Sequence, residues 1–411
     1  MTGKSLSDLR VFNRAALLKL LYYNAEAKLS RKEIATRLNL TPAAVSHIVK
    51  DMLNEDVLIE RGAVTDARLG RREIALDINL TKFLVMCAYI PTRDICISCV
   101  DLAGNVHFEK KIHCDSLMTG SEIVRAVCSE MLGYINTLPQ DRKNCVIGAG
   151  FGIKGICDNE KGVSVTSFGL WEDNLPVREI AQKQLNGLNV LVDNDIRCVA
   201  SGEMLFRPNS DSHSMLFTKY GPLVGGGFLL GGELFRGYSY SAMELAHFVV
   251  NPLGAICRCG KRGCLETVAG FDVIRNTVKL HYSYARTPIL YKITNGDVDA
   301  VGYDDVMHCY DNDEELVVKV LNGALDSFAL MLVNAIGIVN PEKIMLYGFP
   351  FESEKLLNTL VDKLTRLSCN KLSAEILKSS RNMQLENLGC AAIVFIDFFE
   401  KGAIYTDADE A

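Results

Sequence analysis

Apolar residues recur at helical spacing over residues 9–23 (Leu9, Phe12, Ala16, Leu17, Leu20 and Leu21), so the chain is expected to open with an amphipathic helix. Ser30 precedes Arg31–Leu38 with Glu33 three residues on, the pattern of a capping box that starts a second helix. Asn39-Leu40 make a tight turn. Thr41 then caps a third helix, and Pro42 takes its first position, where a missing N–H costs nothing. Val45, Ile48, Val49, Met52 and Leu53 share the inner face of that helix, which leaves Thr41, Ala43, Ala44, Ser46, His47 and Lys50 outside. Two strand-like runs, 57–64 and 73–79, flank the segment Thr65–Arg72. This order predicts a winged helix-turn-helix over residues 1–80, with its third helix placed for the major groove. Thr41, Ala43, Ser46, His47 and Lys50 are the candidate DNA contacts on that helix. Arg68, Arg71 and Arg72 of the wing suit phosphates or a narrow minor groove.

From about residue 81 the pattern becomes that of an α/β protein. Strand-like runs at Phe83–Tyr89, Asp94–Asp101 and Val106–Ile112 predict a β-meander, followed by a helix over 121–137. The strands Cys145–Phe151 and Val190–Val192 come next, and a helix over 196–205 begins just after Asp193-Asn194-Asp195. Met215–Lys219 and Gly226–Leu230 surround a Gly-rich turn, and a long apolar helix (314–337) precedes the strand Lys343–Tyr347. Strands and helices alternating over two successive halves predict two lobes with a cleft. We expect a first lobe over 81–195, completed by a C-terminal helix at about 386–401, and a second over 196–385.

Charge sharpens the division. Residues 1–72 hold 13 Lys and Arg against 8 Asp and Glu, a surplus of +5, so the remainder carries −11 of the chain's net −6. A basic module on an acidic body fits a nucleic-acid binder joined to a soluble sensor. A helical protein-interaction module is the bland alternative. Residues 1–14 have no apolar core for a secretory signal, and no run is expected to reach the roughly 18–20 apolar residues of a membrane span. Most of the 14 cysteines stand singly in apolar runs, which points to a reducing cytoplasm.

The densest chemistry runs from His247 to Cys264. One imidazole and three thiols (His247, Cys257, Cys259, Cys264) fall within eighteen residues, a donor set that suits tetrahedral zinc. Gly260 and Gly263 can take the backbone angles of a short loop wrapped around a metal. With all four positions filled by protein, one zinc per chain would be structural rather than catalytic.

The segment Glu244-Leu-Ala-His247, the cysteine cluster with Glu266, the pair Asn194-Asp195 and the N-terminal winged helix together resemble the ROK family (repressors, open reading frames and sugar kinases). They resemble its repressor branch in particular, the xylose/glucose/N-acetylglucosamine-type regulators. The resemblance covers nearly the whole chain and implies an actin/hexokinase-like fold. It implies that Asn194, Asp195, Glu244, His247 and Glu266 hydrogen-bond sugar hydroxyls, with His247 also on zinc and Asp195 matching the catalytic base of the kinases. Trp171 and Asn174 match a segment bordering the sugar cleft, and Ala246, Arg197 and Lys154 depart from the family pattern. Lys154 and Arg197 could admit a sugar phosphate or could pair with acids of the body.

The resemblance also indicates what is missing. Where the kinases have an Asp-x-Gly-Gly-Thr phosphate turn, this chain has Tyr89-Ile-Pro-Thr-Arg93. Their second phosphate loop, Gly-Thr-Gly-x-Gly, is Gly221-Pro-Leu-Val-Gly225, and a late Gly-Gly pair is Gly348-Phe349. Prolines remove amide donors and bulky side chains block the approach of phosphate, so Asp195 is expected to be a vestigial base with no reaction to catalyse. The expectation is a non-enzymatic, sugar- or sugar-phosphate-responsive regulator, a homodimer or dimer of dimers on a palindromic operator. An active ROK kinase with a DNA-binding appendage, or a regulator controlled by a protein partner, are the alternatives.

Overall fold

The computed structural model describes residues 6–63, 73–207, 214–369, 371–379 and 384–404. Three helices open the chain: α1 (Leu6–Tyr23), α2 (Arg31–Leu38) and α3 (Pro42–Asn54). Both halves of the Ser30/Glu33 capping box form, Asn39 ends α2 with φ 53°, and the Thr41 side chain accepts from the Ala44 amide. Strands β1 (Leu58–Ala63) and β2 (Ile74–Ile78) pair antiparallel with Leu58 opposite Ile78. The wing residues Arg68, Arg71 and Arg72 lie outside the described residues. One expectation is corrected in α1: Leu9 and Phe12 are exposed, and the buried stripe is Arg14, Leu17, Leu18 and Leu21.

The next stretch contains β3 (Leu84–Ile90), β4 (Asp94–Asp101), β5 (Val106–His113), α4 (Gly120–Thr137), α5 (Gln140–Lys143) and β6 (Val146–Ile153). It continues with β7 (Ile156–Asp158), β8 (Val163–Thr166), α6 (Val177–Gln184), β9 (Val190–Asn194) and α7 (Asp195–Phe206). Its main sheet has the order β5-β4-β3-β6-β9, antiparallel across the β3-β4-β5 meander and parallel from β3 to β6 to β9. Every residue of β3 is buried, as a strand covered on both faces requires. The edge strand β5 instead exposes Glu109, Lys110 and Lys111, which discourages edge-to-edge pairing.

The second stretch contains β10 (Ser214–Lys219), β11 (Gly225–Leu230), β12 (Glu233–Leu234), α8 (Glu266–Ala269), α9 (Phe271–Leu280), α10 (Pro288–Ile293) and α11 (Tyr303–Asp311). Then come α12 (Glu315–Val339), β13 (Lys343–Tyr347), α13 (Glu354–Leu367), β14 (Glu375–Lys378) and finally α14 (Leu385–Glu400). Its sheet, β12-β11-β10-β13-β14, repeats the plan of the first: an antiparallel meander, then two parallel strands. The long apolar α12 corrects one expectation, because it is long and apolar enough to cross a membrane. Here Val317, Leu321, Leu325, Phe328 and Leu332 fill the core of the second unit.

Two compact units result, residues 1–210 with 385–411 and residues 211–384. The sequence reading divides the lobes at 195/196, whereas α7 packs with the first unit. The reason is close contact with α14. A Cβ on Gly389 would lie 2.5 Å from the Cys198 carbonyl oxygen, and one on Gly150 of β6 would lie 1.9 Å from that of Cys390. Glycine at these positions lets α14 lie against both α7 and the sheet.

Candidate metal centre and effector residues

A short 3₁₀ turn, Leu245–His247, brings His247 to the second unit's cysteine loop. Val249 bridges Cys264, and Ile256 bridges Arg262, closing the loop on itself. Gly260 and Gly263 adopt φ 87° and 73°, and a Cβ on Gly263 would fall 1.5 Å from the Asn251 carbonyl oxygen. Only glycine meets both demands at Gly263. The four ligand atoms of His247, Cys257, Cys259 and Cys264 all lie within 4.8 Å of one another.

The geometry fits a tetrahedral ion. Bonds of about 2.3 Å to sulfur and 2.0 Å to nitrogen give tetrahedral S···S edges of about 3.8 Å and S···N edges of about 3.5 Å. Cys259 Sγ and Cys264 Sγ are 3.6 Å apart, and Cys257 Sγ and His247 Nδ1 are 3.6 Å apart. Three thiolates would need a cation to share this volume. Burial and the two neighbouring thiols push Cys264 up to about 12, whereas Cys259 is lowered, the Lys261 backbone and its fellow thiols outweighing burial. The nitrogen facing the cluster is Nδ1, so a metal held there would leave Nε2 as the protonated nitrogen of the ring.

Glu266 begins α8 immediately beyond the loop. Its Oε1 accepts from Arg258 Nη2 at 3.3 Å and its Oε2 from the Val224 amide at 3.3 Å. The loop that would carry the metal and the Gly221–Gly225 loop are thus joined through one carboxylate. The sequence offers no signal for this, since Val224 and Glu266 are 42 residues apart. Glu244 stands half-buried before the 3₁₀ turn, and its carbonyl accepts from the His247 amide at 2.9 Å.

Asn194 and Asp195 belong to the first unit, at the junction of β9 and α7. Capping falls to Asn194, which leaves Asp195 as the first helical residue, 4% exposed. Asn194 Oδ1 accepts from the Ile196 and Arg197 amides, and Nδ2 donates to the Gly155 carbonyl at 2.8 Å. Arg197 donates from Nε to Asp193 Oδ1 at 2.6 Å and from Nη2 to the Cys157 carbonyl. Of the two readings the sequence leaves open for Arg197, the structure supports pairing with an acid.

Arg93 and Phe349, from two of the three segments the family resemblance singles out, are engaged within the protein. Arg93 braces the Asp115 and Leu170 carbonyls. The Phe349 ring packs on Gly221, with its centroid 4.6 Å from that of Phe271. On α3 the side chains of Thr41, Ala43, Ser46, His47 and Lys50 are all exposed, Ala44 is half-buried, and His47 Nδ1 lies 3.3 Å from Asp51. Trp171 is buried and its indole donates to Ser164, so it is a packing residue.

An N-terminal winged helix-turn-helix and, after it in the chain, two five-stranded sheets of the same plan define a DNA-binding module fused to an actin-like α/β body. Comparison with known proteins agrees. The ROK family profile matches residues 92–395, and that of the winged helix-turn-helix DNA-binding domain matches residues 16–59. The chain belongs to the ROK family. It is 24% identical over 395 residues to the xylose repressor of Caldicellulosiruptor bescii, covering 95% of this chain and 96% of that one. Its fold matches a ROK family transcriptional regulator, homologue of E. coli MLC, with TM-score 0.79, 20% identity and coverage of 95% and 98%. It also matches the ROK glucokinase from Streptomyces griseus in complex with glucose and AMPPNP, with TM-score 0.63, 20% identity and coverage of 76% and 98%.

Proposed function

We propose that this chain is a sugar-responsive transcriptional repressor that binds its effector without phosphorylating it. One observation carries the reading: a recognition helix with an exposed, small and polar outer face sits on the same chain as a ROK body. The similarity to a xylose repressor over nearly the full length supports it. Asp195, supported by Asn194, is the proposed effector contact of the first unit, and Glu244, His247 and Glu266 are those of the second. Because Arg197 is already committed to Asp193, a neutral sugar is favoured over a sugar phosphate.

Phosphoryl transfer needs oriented backbone donors around the phosphates. The Val224 amide donates to Glu266, Pro222 has no amide hydrogen, and Phe349 packs where a kinase would have glycine. Sugar-dependent consumption of ATP that disappears in Asp195→Asn would overturn this part of the reading.

One zinc per chain is proposed on His247, Cys257, Cys259 and Cys264, holding the loop from which Arg258 and Glu266 project. A homodimer on a palindromic operator follows from the two-fold logic of helix-turn-helix proteins. None of the fourteen cysteines is in a disulfide, which suits a reducing cytoplasm.

The DNA arm is tested by titrating a duplex, selected by the protein from a random-sequence pool, at several salt concentrations. Arg71→Ala with Arg72→Ala should weaken binding and lower the log–log salt slope by about 2, roughly one per lost phosphate contact. An unchanged slope would remove the wing from the interface.

A further inference from the structure

We infer that Arg14, held between Glu55 and the carbonyl of Gly402, positions the recognition helix on the ROK body. The inference rests on the DNA-binding reading and adds to it the residues that join reader to sensor. Arg14 is 1% exposed on α1, within a stripe of leucines. A buried guanidinium is tolerated only when its donors are taken up. Nη1 and Nη2 form a fork onto Glu55, and Nε donates to the Gly402 carbonyl at 2.6 Å.

The two partners come from opposite ends of the chain. Glu55 is the C-cap of α3, the recognition helix, and Gly402 lies in the turn that ends α14. A planar fork satisfies both only while α1, the end of α3 and the end of α14 keep one relative arrangement. Gly402 is also required sterically. Its φ is 64°, and a Cβ there would come within 2.9 Å of both Arg14 Cβ and the Val11 carbonyl oxygen.

A second tie runs in parallel. The Tyr22 hydroxyl donates to the Leu205 carbonyl at 3.0 Å, and its ring lies edge-on to Phe399 of α14 at 5.3 Å. Leu205 is in the last turn of α7, the helix that Asp195 begins. The glycine contact between Gly202 and Gly389 leaves no slack between α7 and α14. A displacement at Asp195 therefore reaches α1 along two helices, one ending on Tyr22 and the other on Arg14. Arg14, Tyr22 and Gly402 are positioning residues, and none of them is placed to touch DNA or effector.

The test uses the full chain with Gly402→Val and, as a milder change, Arg14→Lys, which keeps the charge but cannot form the fork. Amide hydrogen exchange is followed by mass spectrometry, and affinity is measured for the duplex selected by the wild-type chain. Exchange should rise about tenfold or more in residues 14–23 and 52–57 while β3, β6 and the second unit stay as protected as in wild type. Duplex affinity should fall by about tenfold, since helix placement decides which base edges are reached. Unchanged exchange in those two segments, in a folded variant, would overturn the inference whatever the DNA result. So would raised exchange with undiminished affinity, or a rise spread evenly through β3 and β6. A wild-type chain that selects no duplex would defeat the DNA-binding reading instead, while the exchange arm still judges the docking.

Discussion

Cys257→Ser is expected to lower bound zinc from about one per chain to a small fraction and to loosen the segment 247–266. Serine is a poor zinc ligand at neutral pH, and structural zinc sites couple metal affinity to local folding. Backbone hydrogen bonds such as Cys257 N–H to the Lys261 carbonyl and Gly263 N–H to the Ala255 carbonyl shape the loop, but Leu253 and Ile256 are exposed, so little apolar packing of its own holds it. A loss on the order of 3 kcal/mol would lower the melting temperature by about 6–12 °C in a unit of this size. Glu266, tied to Arg258 of the same loop, should lose its fixed position. Elemental analysis with differential scanning calorimetry checks this. Metal-free protein that melts like wild type would remove zinc from the account.

Arg197→Ala should be at least as damaging. Arg197 and Asp193 are 2% and 3% exposed and bonded at 2.6 Å. Removing one member strands a buried charge, at a cost of about 3–5 kcal/mol. That corresponds to on the order of 10 °C in melting temperature. The double change Asp193→Leu with Arg197→Met should recover part of the loss, because no unpaired charge remains. The pair spans the start of α7 and therefore fixes Asp195 between its members. Chemical denaturation of the three variants provides the check. A single-variant loss below about 1 kcal/mol would mean that the pair does not organise this junction.

These two sites differ in how far the sequence reveals them. The cysteine loop is legible because its ligands are local, and glycines at φ 87° and 73° mark where it turns. The helix-turn-helix is legible for the same reason, since its caps act within three residues of themselves. Helix α7 is harder to assign. Its residues from Asp195 to Leu205 are all buried, so no polar face indicates which lobe it joins, and the Gly202–Gly389 contact with α14 decides the matter. The helical period places Leu9 and Phe12 on the inner face of α1 but cannot say where the covering surface stops.

Other signals rest on single residues. Arg14 interrupts an apolar stripe with Leu17, Leu18 and Leu21, the mark of a buried, paired charge. Asp193 and Arg197 stand four apart around a helix start. By contrast, nothing local indicates that Val224 donates to Glu266 or that Arg258 grips the same carboxylate. Such contacts depend on loop closure, which spacing along the chain does not encode. The duplicated sheets show the same limit: most of the strand-like runs are readable in the sequence, while the order in which they join into two sheets follows only from the fold.

In the function proposed above, sugar occupancy alters DNA binding without chemistry. It is tested most directly by fluorescence anisotropy of the selected duplex, titrated with the chain in the presence of a panel of free aldoses and their phosphates. Linkage requires that an effector binding one conformation more tightly shift duplex affinity by the same factor. A shift of about tenfold or more, about 1.4 kcal/mol of coupling, is expected for at least one free sugar in the absence of ATP. Duplex affinity indifferent to every sugar in the panel, or a shift that appears only when ATP is supplied, would contradict it.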